Sequence, residues 1–233
     1  MQRVNNHNAR KGDARALDPR LSLRDIGHSF VPGTYLFRHL TVDFAAGEVW
    51  GLKGPSGSGK STLLSIVAGW EAPREGSVAR IGINTTRWVF QNPLGVAQRS
   101  VMDHVALPFL AVGLGRQEAE HRAADILGAF GLEDSADKRF SLLSGGEAQR
   151  LMLARAAAGK PDLILVDEPT AQLDRATAAT VNGVLGALAA SGAVVVVASH
   201  DLETLEACKA VLDLQEFAGT NNESHVINPV GRL

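Results

Sequence analysis

Disulfides and a basic surface are both missing from this chain. Cys208 is its only cysteine, so no internal disulfide can form, and a single thiol fits a reducing compartment. The 23 lysines and arginines are offset by 25 aspartates and glutamates, and the sequence has no basic stripe of the kind that binds a phosphate backbone. We therefore expect no nucleic acid among the partners of this protein.

Long apolar runs are also missing. The longest, about Leu185 to Ala198, is shorter than the roughly twenty residues that a membrane span needs, and Ser191-Gly192 interrupts it. The first twenty residues are polar and basic, without the apolar core of a secretory signal. We expect a chain that does not cross a bilayer by itself, with one domain over residues 21–214 and flexible tails over residues 1–20 and 215–233.

The first positive signal is a glycine-rich segment between a predicted strand and a predicted helix. An apolar run, Glu48 to Leu52, precedes it, and Ser61 to Val67 follow with helical spacing. The segment reads Gly54-Pro55-Ser56-Gly57-Ser58-Gly59-Lys60-Ser61, which is the full P-loop pattern. A chance glycine-rich turn is the alternative, and the flanking strand and helix disfavour it.

A P-loop has a defined chemistry. Its glycines let backbone N–H groups turn inward around phosphate oxygens, and the following helix presents its positive end. Lys60 then offers a charge to the β- and γ-phosphates, Ser61 places its hydroxyl on Mg²⁺, and Thr62 supports the α-phosphate side. The sequence therefore predicts a site for a nucleoside triphosphate and Mg²⁺.

Two further apolar runs end in polar residues. Leu163 to Val166 precede Asp167 and Glu168, and Ala193 to Ala198 precede Ser199 and His200. Such runs are typical of strands buried on both faces of a parallel sheet, where ligands bind beyond the carboxyl ends of the strands. We expect Asp167 to hold the Mg²⁺ shell and Glu168 to polarise the attacking water. Two solvated acids before a proline are the alternative.

The rest of the chain indicates two other kinds of structure. Leu21 to Phe44 contain alternating and β-branched patches broken by Pro32-Gly33, which predicts antiparallel strands. Residues 92–142 predict helices, over Val101 to Val112 and Gln117 to Leu132. Ser144 and Glu147 have the spacing of a capping box at the start of another helix.

One short segment decides between families. Leu143-Ser144-Gly145-Gly146-Glu147 lies between the P-loop and the acidic strand end, and Gln91 precedes it. With these segments, residues 21–214 resemble the ATP-binding-cassette (ABC) ATPases. The resemblance implies an α/β fold of the P-loop NTPase (RecA-like) class. Its mostly parallel sheet core would carry an N-terminal antiparallel β-subdomain and an inserted α-helical subdomain at about 92–142.

The resemblance also implies roles for single residues. His200 would be the switch histidine that contacts the γ-phosphate and helps to orient the water, and Gln91 would touch Mg²⁺ or water from the Q-loop. Residues 171–174 resemble the D-loop, which faces its counterpart across a dimer. Phe30 would stack on adenine, with Tyr35 as the second candidate and core packing as the competing explanation.

Partners follow from the same resemblance. Ser144, Gly145, Gly146 and Glu147 would reach the γ-phosphate held by the opposite subunit, so two copies of the chain would pair head to tail into a dimer with two ATP sites. Such an ATPase drives a separate integral membrane permease and lies peripherally on the cytoplasmic face of the membrane.

The segment Val101 to Leu110 indicates one branch of the ABC family. It looks like the corresponding segment in cassettes of the lipoprotein-release and macrolide-export type, which predicts export of a hydrophobic compound, a peptide, a lipoprotein or haem. The stretch between Lys60 and Gln91 is shorter than in that branch. Import is the alternative, followed by a soluble ABC ATPase that acts on ribosomes or DNA. A metabolic kinase would leave the signature segment and His200 unexplained.

Overall fold

The computed structural model describes residues 19–171 and 173–219, so Gln172 and most of both expected tails lie outside the described residues. The strands are β1 (Arg20–His28), β2 (Phe37–Ala45), β3 (Val49–Lys53), β4 (Glu75–Ile81), β5 (Thr86–Val89), β6 (Leu163–Asp167), β7 (Val194–Ala198) and β8 (Ala210–Asp213). The α-helices are α1 (Lys60–Ala68), α2 (Val101–Ala111), α3 (Arg116–Ala129), α4 (Gly145–Ala158), α5 (Arg175–Ala190) and α6 (Leu202–Glu206). Short 3₁₀ helices cover Glu133–Ser135, Phe140–Leu142 and Leu214–Phe217.

A five-stranded parallel sheet forms the centre of the molecule. Its strand order is β5-β6-β7-β3-β8, and each described pairing in it is parallel. All five residues of β7 are buried, as are the first four of β6. Strands covered on both faces must be apolar throughout, which is why these segments read as continuous runs. The predicted pair of doubly buried strands is confirmed.

The central sheet separates two hydrophobic cores. Leu163 and Leu165 of β6 face one core together with α1 and the antiparallel strands, while Ile164 and Val166 face the other, which includes α4 and α5. Successive side chains of a strand point to opposite faces, so one strand contributes to both cores. The two cores therefore fix the orientation of the polar residues that follow each strand.

A second, antiparallel sheet of strand order β2-β1-β4 covers one of these cores. The turn between β1 and β2 contains a bridge from Val31 to Thr34, with Gly33 in the left-handed region at φ 83°. This conformation favours glycine, as the Pro32-Gly33 pair indicated. The predicted antiparallel strands are confirmed.

Residues 92–142 contain α2 and α3, followed by two of the short 3₁₀ helices. Ser100 caps α2, because its hydroxyl accepts a hydrogen bond from the backbone N–H of Asp103. The two predicted helices in this region are confirmed within a few residues at each end. With the sheets, they complete the expected combination of a mostly parallel core, an antiparallel sheet and a helical insertion.

The described fold continues past the expected boundary at residue 214. The 3₁₀ helix Leu214–Phe217 crosses that boundary, and Phe217 is buried in the core beneath the antiparallel sheet. Polar composition alone did not indicate this, since a single aromatic side chain anchors the segment. Within residues 19–171 and 173–219, every helix is too short or too polar to span a membrane.

One glycine position yields a test of the fold. Gly76 in β4 has φ 80°, and a Cβ there would lie 2.3 Å from the carbonyl oxygens of Arg24 and Asp25 in β1. Gly113 has a similar φ of 90° with open space around it. Gly113→Ala should lower the free energy of unfolding by about 1 kcal/mol through backbone strain alone. Gly76→Ala should cost about 1 to 3 kcal/mol more through overpacking. Urea unfolding of both variants measures the difference, and equal losses would contradict the described approach of β4 to β1.

Candidate functional site

The carboxyl ends of four parallel strands meet at one edge of the central sheet. β3 leads into the P-loop, β5 into Gln91, β6 into Glu168 and β7 into His200. A cleft of about 700 Å³ lies at this edge. Its lining residues are Phe30, Leu36, Gly54, Pro55, Ser56, Gly57, Gly59, Lys60, Ser61, Thr62, Gln91, Asp167, Glu168 and His200. The parallel arrangement thus brings together residues that are far apart in the sequence.

The glycine-rich loop has the backbone that a phosphate cradle requires. Gly57 and Gly59 lie at φ 81° and 95°, in the left-handed region. A Cβ at Gly59 would also lie 2.9 Å from the ring of Phe37. Helix α1 begins at Lys60 and has no side-chain cap at Gly59, so its first backbone N–H groups remain available to a ligand. The loop can therefore present several N–H donors to an anion.

Of two polar side chains of the loop, Lys60 lines the cleft and Ser58 does not. The amine of Lys60 lines the cleft and donates to the carbonyl oxygens of Gly54, at 2.7 Å, and Pro55, at 3.3 Å. Ser58 is the one predicted P-loop contact outside the cleft lining. Its hydroxyl is buried, with no hydrogen-bond partner among the described residues, and a Cβ at Gly54 would lie 2.5 Å from it. The hydroxyl of Ser58 is thus buried outside the cleft lining, and its predicted part in nucleotide binding stays a prediction.

A hydroxyl and a carboxylate form the oxygen-rich part of the cleft. The hydroxyl of Ser61 donates to Oδ2 of Asp167 at 2.7 Å. Burial raises the pKa of Asp167, and the charge of Glu168 adds to this, while the hydrogen bond from Ser61 and the charge of Lys60 act in the opposite direction. A partly buried carboxylate with a raised pKa is stabilised in its charged form by a nearby cation.

This pair fits Mg²⁺. In nucleotide sites the ion prefers oxygen ligands and is held by one or two carboxylates together with phosphate oxygens and water. Within the described part of the chain, no cluster of three or more His, Cys, Asp or Glu residues could hold a metal ion. Ser61 and Asp167 would thus hold Mg²⁺ together with the oxygens of a bound nucleotide.

Glu168 has an unusual backbone and a nearly closed environment. Its φ of 50° is in the left-handed region, which is uncommon for a residue other than glycine and is found at functional sites. Its side chain is only 8% exposed. Oε1 lies 2.9 Å from Nδ1 of His200, and the hydroxyl of Ser199 donates to Oε2 at 3.3 Å. His200 itself is exposed and lines the cleft. The buried carboxylate of Glu168 therefore contacts an imidazole that a ligand can reach.

The two aromatic candidates for adenine are now distinguishable. Phe30 is 65% exposed, lines the cleft and contacts the ring of His28 edge to face at 5.0 Å. Tyr35 does not line it. Its hydroxyl donates to Glu75 at 2.7 Å, and the guanidinium of Arg38 lies over its ring at 4.5 Å. An exposed ring at a cleft suits stacking on a base better than a ring held by an ion pair.

The signature segment lines a different cleft, of about 460 Å³. This second cleft is lined by Ser144, Gly145, Gly146, Glu147, Arg150, Leu173 and Asp174, none of which lines the first. Nε of Arg150 is buried without a hydrogen-bond partner among the described residues. A helix start beside a partly unsatisfied guanidinium is suited to an anion. Within one chain, the P-loop and the signature segment therefore serve two separate clefts.

The capping box predicted for α4 is confirmed. The hydroxyl of Ser144 accepts from the backbone N–H of Glu147, and the Glu147 carboxylate accepts from the backbone N–H of Ser144. Ser135 and Lys138 also donate to this carboxylate. The hydrogen bond from the Ser144 backbone is the largest of the effects that lower the pKa of Glu147 to about 2. Glu147 is thus engaged in orienting its own segment.

Several residues of the two clefts were missed from the sequence. Leu36 of the first cleft and Arg150 of the second belong to no motif that the sequence analysis identified, whereas Leu173 and Asp174 of the second cleft belong to the segment that resembles the D-loop. Gln149, two residues after Glu147, is buried in α4, and its amide donates to the carbonyl oxygen of Phe90 at 3.5 Å. A polar residue on an otherwise buried helix face was the available signal for Gln149.

Comparison with known proteins defines the class. The family model described as ABC transporter matches residues 37–171, more than half of the chain. A solved dimeric ATP-binding cassette in a post-hydrolysis state, bound to ADP and Pi, superposes with a TM-score of 0.75 at 26% identity. The superposition covers 89% of this chain and 100% of that one. The chain belongs to the ABC transporter family and is its ATP-binding, ATP-hydrolysing cassette.

Two relatives are similar over most of the chain. The lipoprotein-releasing system ATP-binding protein LolD 2 of Caulobacter vibrioides is 35% identical over 218 residues, which cover 85% of this chain and 96% of LolD 2. The macrolide export ATP-binding/permease protein MacB 1 of Aeromonas hydrophila is 35% identical over 219 residues. The match covers 86% of this chain but spans only 34% of MacB 1. The resemblance to cassettes of the lipoprotein-release and macrolide-export type is confirmed.

The environment of Glu168 yields a kinetic test. Glu168→Gln keeps the size of the side chain but removes the carboxylate that we expect to accept a proton from the attacking water, so the ATPase rate should fall by roughly 10²- to 10⁴-fold. ATP affinity should stay within a few-fold, since the P-loop is untouched. Glu206→Gln, on the exposed side of α6, is the matched control and should leave both quantities unchanged. Hydrolysis by Glu168→Gln at the parent rate would show that another group is the base.

Proposed function

We propose that two copies of this chain pair head to tail around two ATP molecules and power a separate membrane permease that exports its substrate. The observation that carries the proposal is the separation of the two clefts. The P-loop cleft lacks the signature residues, and the second cleft lacks the P-loop. A head-to-tail dimer places the second cleft of one copy over the first cleft of the other, which completes both sites by symmetry.

The residues of the first cleft then take the following roles in our proposal. Lys60 and the loop N–H groups bind the phosphates, with Thr62 on the α-phosphate side, and Phe30 stacks on adenine. Ser61, Asp167 and Gln91 hold Mg²⁺ or its water. Glu168 takes a proton from the attacking water, and His200 orients that water and contacts the γ-phosphate.

The second cleft supplies the remaining charge stabilisation. The backbone N–H groups at the start of α4 and the guanidinium of Arg150 would face the γ-phosphate of the partner copy. The similar cassette with ADP and Pi is itself dimeric, which supports a paired state. ATP would close the dimer, and its hydrolysis would reopen it.

Complementation between two inactive variants tests this arrangement. Lys60→Ala damages the first cleft, and Gly145→Asp puts a negative charge into the second while leaving an acid at a helix start, where it is tolerated. A mixed dimer has one doubly damaged site and one intact site. We expect each variant alone to lack ATPase activity and the doubly tagged mixed dimer, purified after co-expression, to regain part of the parent rate.

Gly145→Asn serves as the control for size, because it adds bulk without charge and should lose less activity than Gly145→Asp. A mixed dimer as inactive as its two parents, with all chains folded by circular dichroism, would contradict sites shared between copies.

An exposed aromatic cluster next to the P-loop cleft supports a permease partner. Trp70, which is 66% exposed, contacts Trp88 with tilted rings at 4.8 Å between centroids, and Trp88 stacks with Phe90 at 5.1 Å. Leu94 nearby along the chain is also exposed. Large exposed aromatic surfaces mark protein interfaces, and this one adjoins Gln91 in the cleft lining. We propose that a cytoplasmic helix of the permease packs on this cluster.

Purification of the tagged chain from gently solubilised membranes tests the partner. We expect Trp70→Glu to lose the co-purifying permease, while Ile81→Glu, at an exposed apolar position of the antiparallel sheet, retains it. A partner with few membrane spans and a large external domain, identified by mass spectrometry, would support export. A permease with many spans and a binding protein would indicate import, and ribosomal or DNA-bound partners would overturn the transport proposal.

The names of the relatives suggest what is exported. Lipoprotein release and macrolide export both concern hydrophobic or amphipathic molecules. We therefore propose a hydrophobic compound, a peptide, a lipoprotein or haem as the substrate class. In this arrangement the cassette lies peripherally on the cytoplasmic face of the membrane, held there by the permease.

A further inference from the structure

One buried histidine lines neither cleft. His104, in the first turn of α2, is 2% exposed. The backbone N–H of Val96 donates to its Nε2 at 2.9 Å, and its Nδ1 lies 2.7 Å from the carbonyl oxygen of Ser100. A carbonyl can only accept and a backbone N–H can only donate. These two contacts therefore require one neutral tautomer, with the proton on Nδ1.

The contacts of His104 fix the segment that follows Gln91. Phe140 packs on the imidazole at 5.5 Å between ring centroids, and a Cβ at Gly95 would lie 2.4 Å from the Phe140 ring. The backbone N–H of Phe140 donates to the carbonyl oxygen of Arg99 at 2.9 Å, and that of Ser141 donates to the carbonyl oxygen of Ala97 at 3.1 Å. Residues 95–100 are therefore held by contacts with α2 on one side and with residues 136–141 on the other.

Residues 136–141 lead directly into the signature segment, Leu143 to Glu147. Ser135 and Lys138 donate to the carboxylate of Glu147, which in turn caps α4 at Ser144. A continuous set of contacts thus runs from the loop after Gln91, through His104 and Phe140, to the start of α4. Gln91 lines the first cleft and Ser144 the second, so the set joins the two clefts of one chain.

We propose that His104 is a positioning residue that, in its neutral form, braces the loop after Gln91 against the segment before the signature and so couples the two clefts. The inference rests on the proposed function, because it assumes that the two clefts serve two nucleotides of one dimer. Protonated His104 would point an N–H at the N–H of Val96, so the brace would be lost in acid.

The surroundings of His104 keep it neutral. Burial lowers its pKa, and the positive charges of Arg155 on α4 and Arg99 in the loop act in the same direction. The hydrogen bond to Ser100 and the charge of Asp103 oppose them. Because folding lowers the pKa of His104, the contribution of its neutral form to stability is fully present above the ordinary pKa of about 6.5. That contribution is lost as the pH falls through the lower pKa of His104 in the folded protein.

Two kinds of variant test the brace. His104→Ala removes both contacts and should lower kcat by roughly 3- to 30-fold, the range seen for residues that couple sites, with the KM for ATP within about twofold. His104→Gln and His104→Asn place an uncharged carboxamide at the depth of Nε2 and of Nδ1, and we expect the better of the two to restore most of kcat. His121→Ala, an exposed histidine of α3, should behave as the parent.

The pH profile separates coupling from a merely structural role. Below about pH 6.5, kcat of the parent and of His121→Ala should fall more steeply than kcat of the better carboxamide variant, which has no proton to gain. The inference would be overturned if the pH profiles of kcat for the parent and the better carboxamide variant were superimposable. A kcat of His104→Ala equal to that of the parent would also overturn it.

Failure of the proposed function is recognised separately. In a Glu168→Gln background, ATP should drive dimerisation measured by light scattering, and adding His104→Ala should weaken it. If Glu168→Gln alone stays monomeric with ATP, the dimer proposal fails, while the pH profiles of the carboxamide variants still decide the role of His104.

Discussion

The parallel pairing of β3, β5, β6 and β7 is the constraint on which the rest of the structure depends. Because these strands run in one direction, the P-loop, Gln91, Glu168 and His200 all emerge at one edge of one sheet. A parallel sheet is stable only when both of its faces are covered, so the two cores are as necessary to the site as the polar residues are. A register shift of one residue in β6 would exchange the two faces and turn Asp167 and Glu168 away from the cleft.

The site concentrates features that cost stability elsewhere in a protein. Asp167 is half-buried with a raised pKa, and Glu168 combines a left-handed backbone with a closed environment. Each is stabilised locally, the first by Ser61 and the second by Ser199 and the imidazole of His200. A preorganised carboxylate of this kind needs little rearrangement when a nucleotide and its water arrive, which is the physical advantage of holding strain at a reactive position.

In the sequence, the helical region separates Gln91 of the P-loop cleft from Ser144 of the second cleft. Ser135 and Lys138 of this region donate to Glu147 in the signature segment, and the exposed aromatic cluster of Trp70, Trp88 and Phe90 adjoins Gln91. Only Gly82 to Thr85 link β4 to β5, and β5 leads through Phe90 into Gln91. In our proposal, the partner that packs on the cluster therefore acts directly on the segment that enters the nucleotide site.

The sequence by itself determined the strand-loop-helix of the P-loop, the doubly buried strands β6 and β7 and the capping box at Ser144, because each depends on residues that are close together in the chain. It also predicted which residues meet at the sheet edge, since parallel strands share a carboxyl end. Only the tertiary structure decided that the Ser58 hydroxyl is buried outside the cleft lining, that Glu75 and Arg38 engage Tyr35 while Phe30 lines the cleft, and that His104 contacts both Val96 and Phe140. The orientation of a single side chain depends on residues that are distant in the sequence and that folding brings into contact. Local sequence patterns do not contain that information.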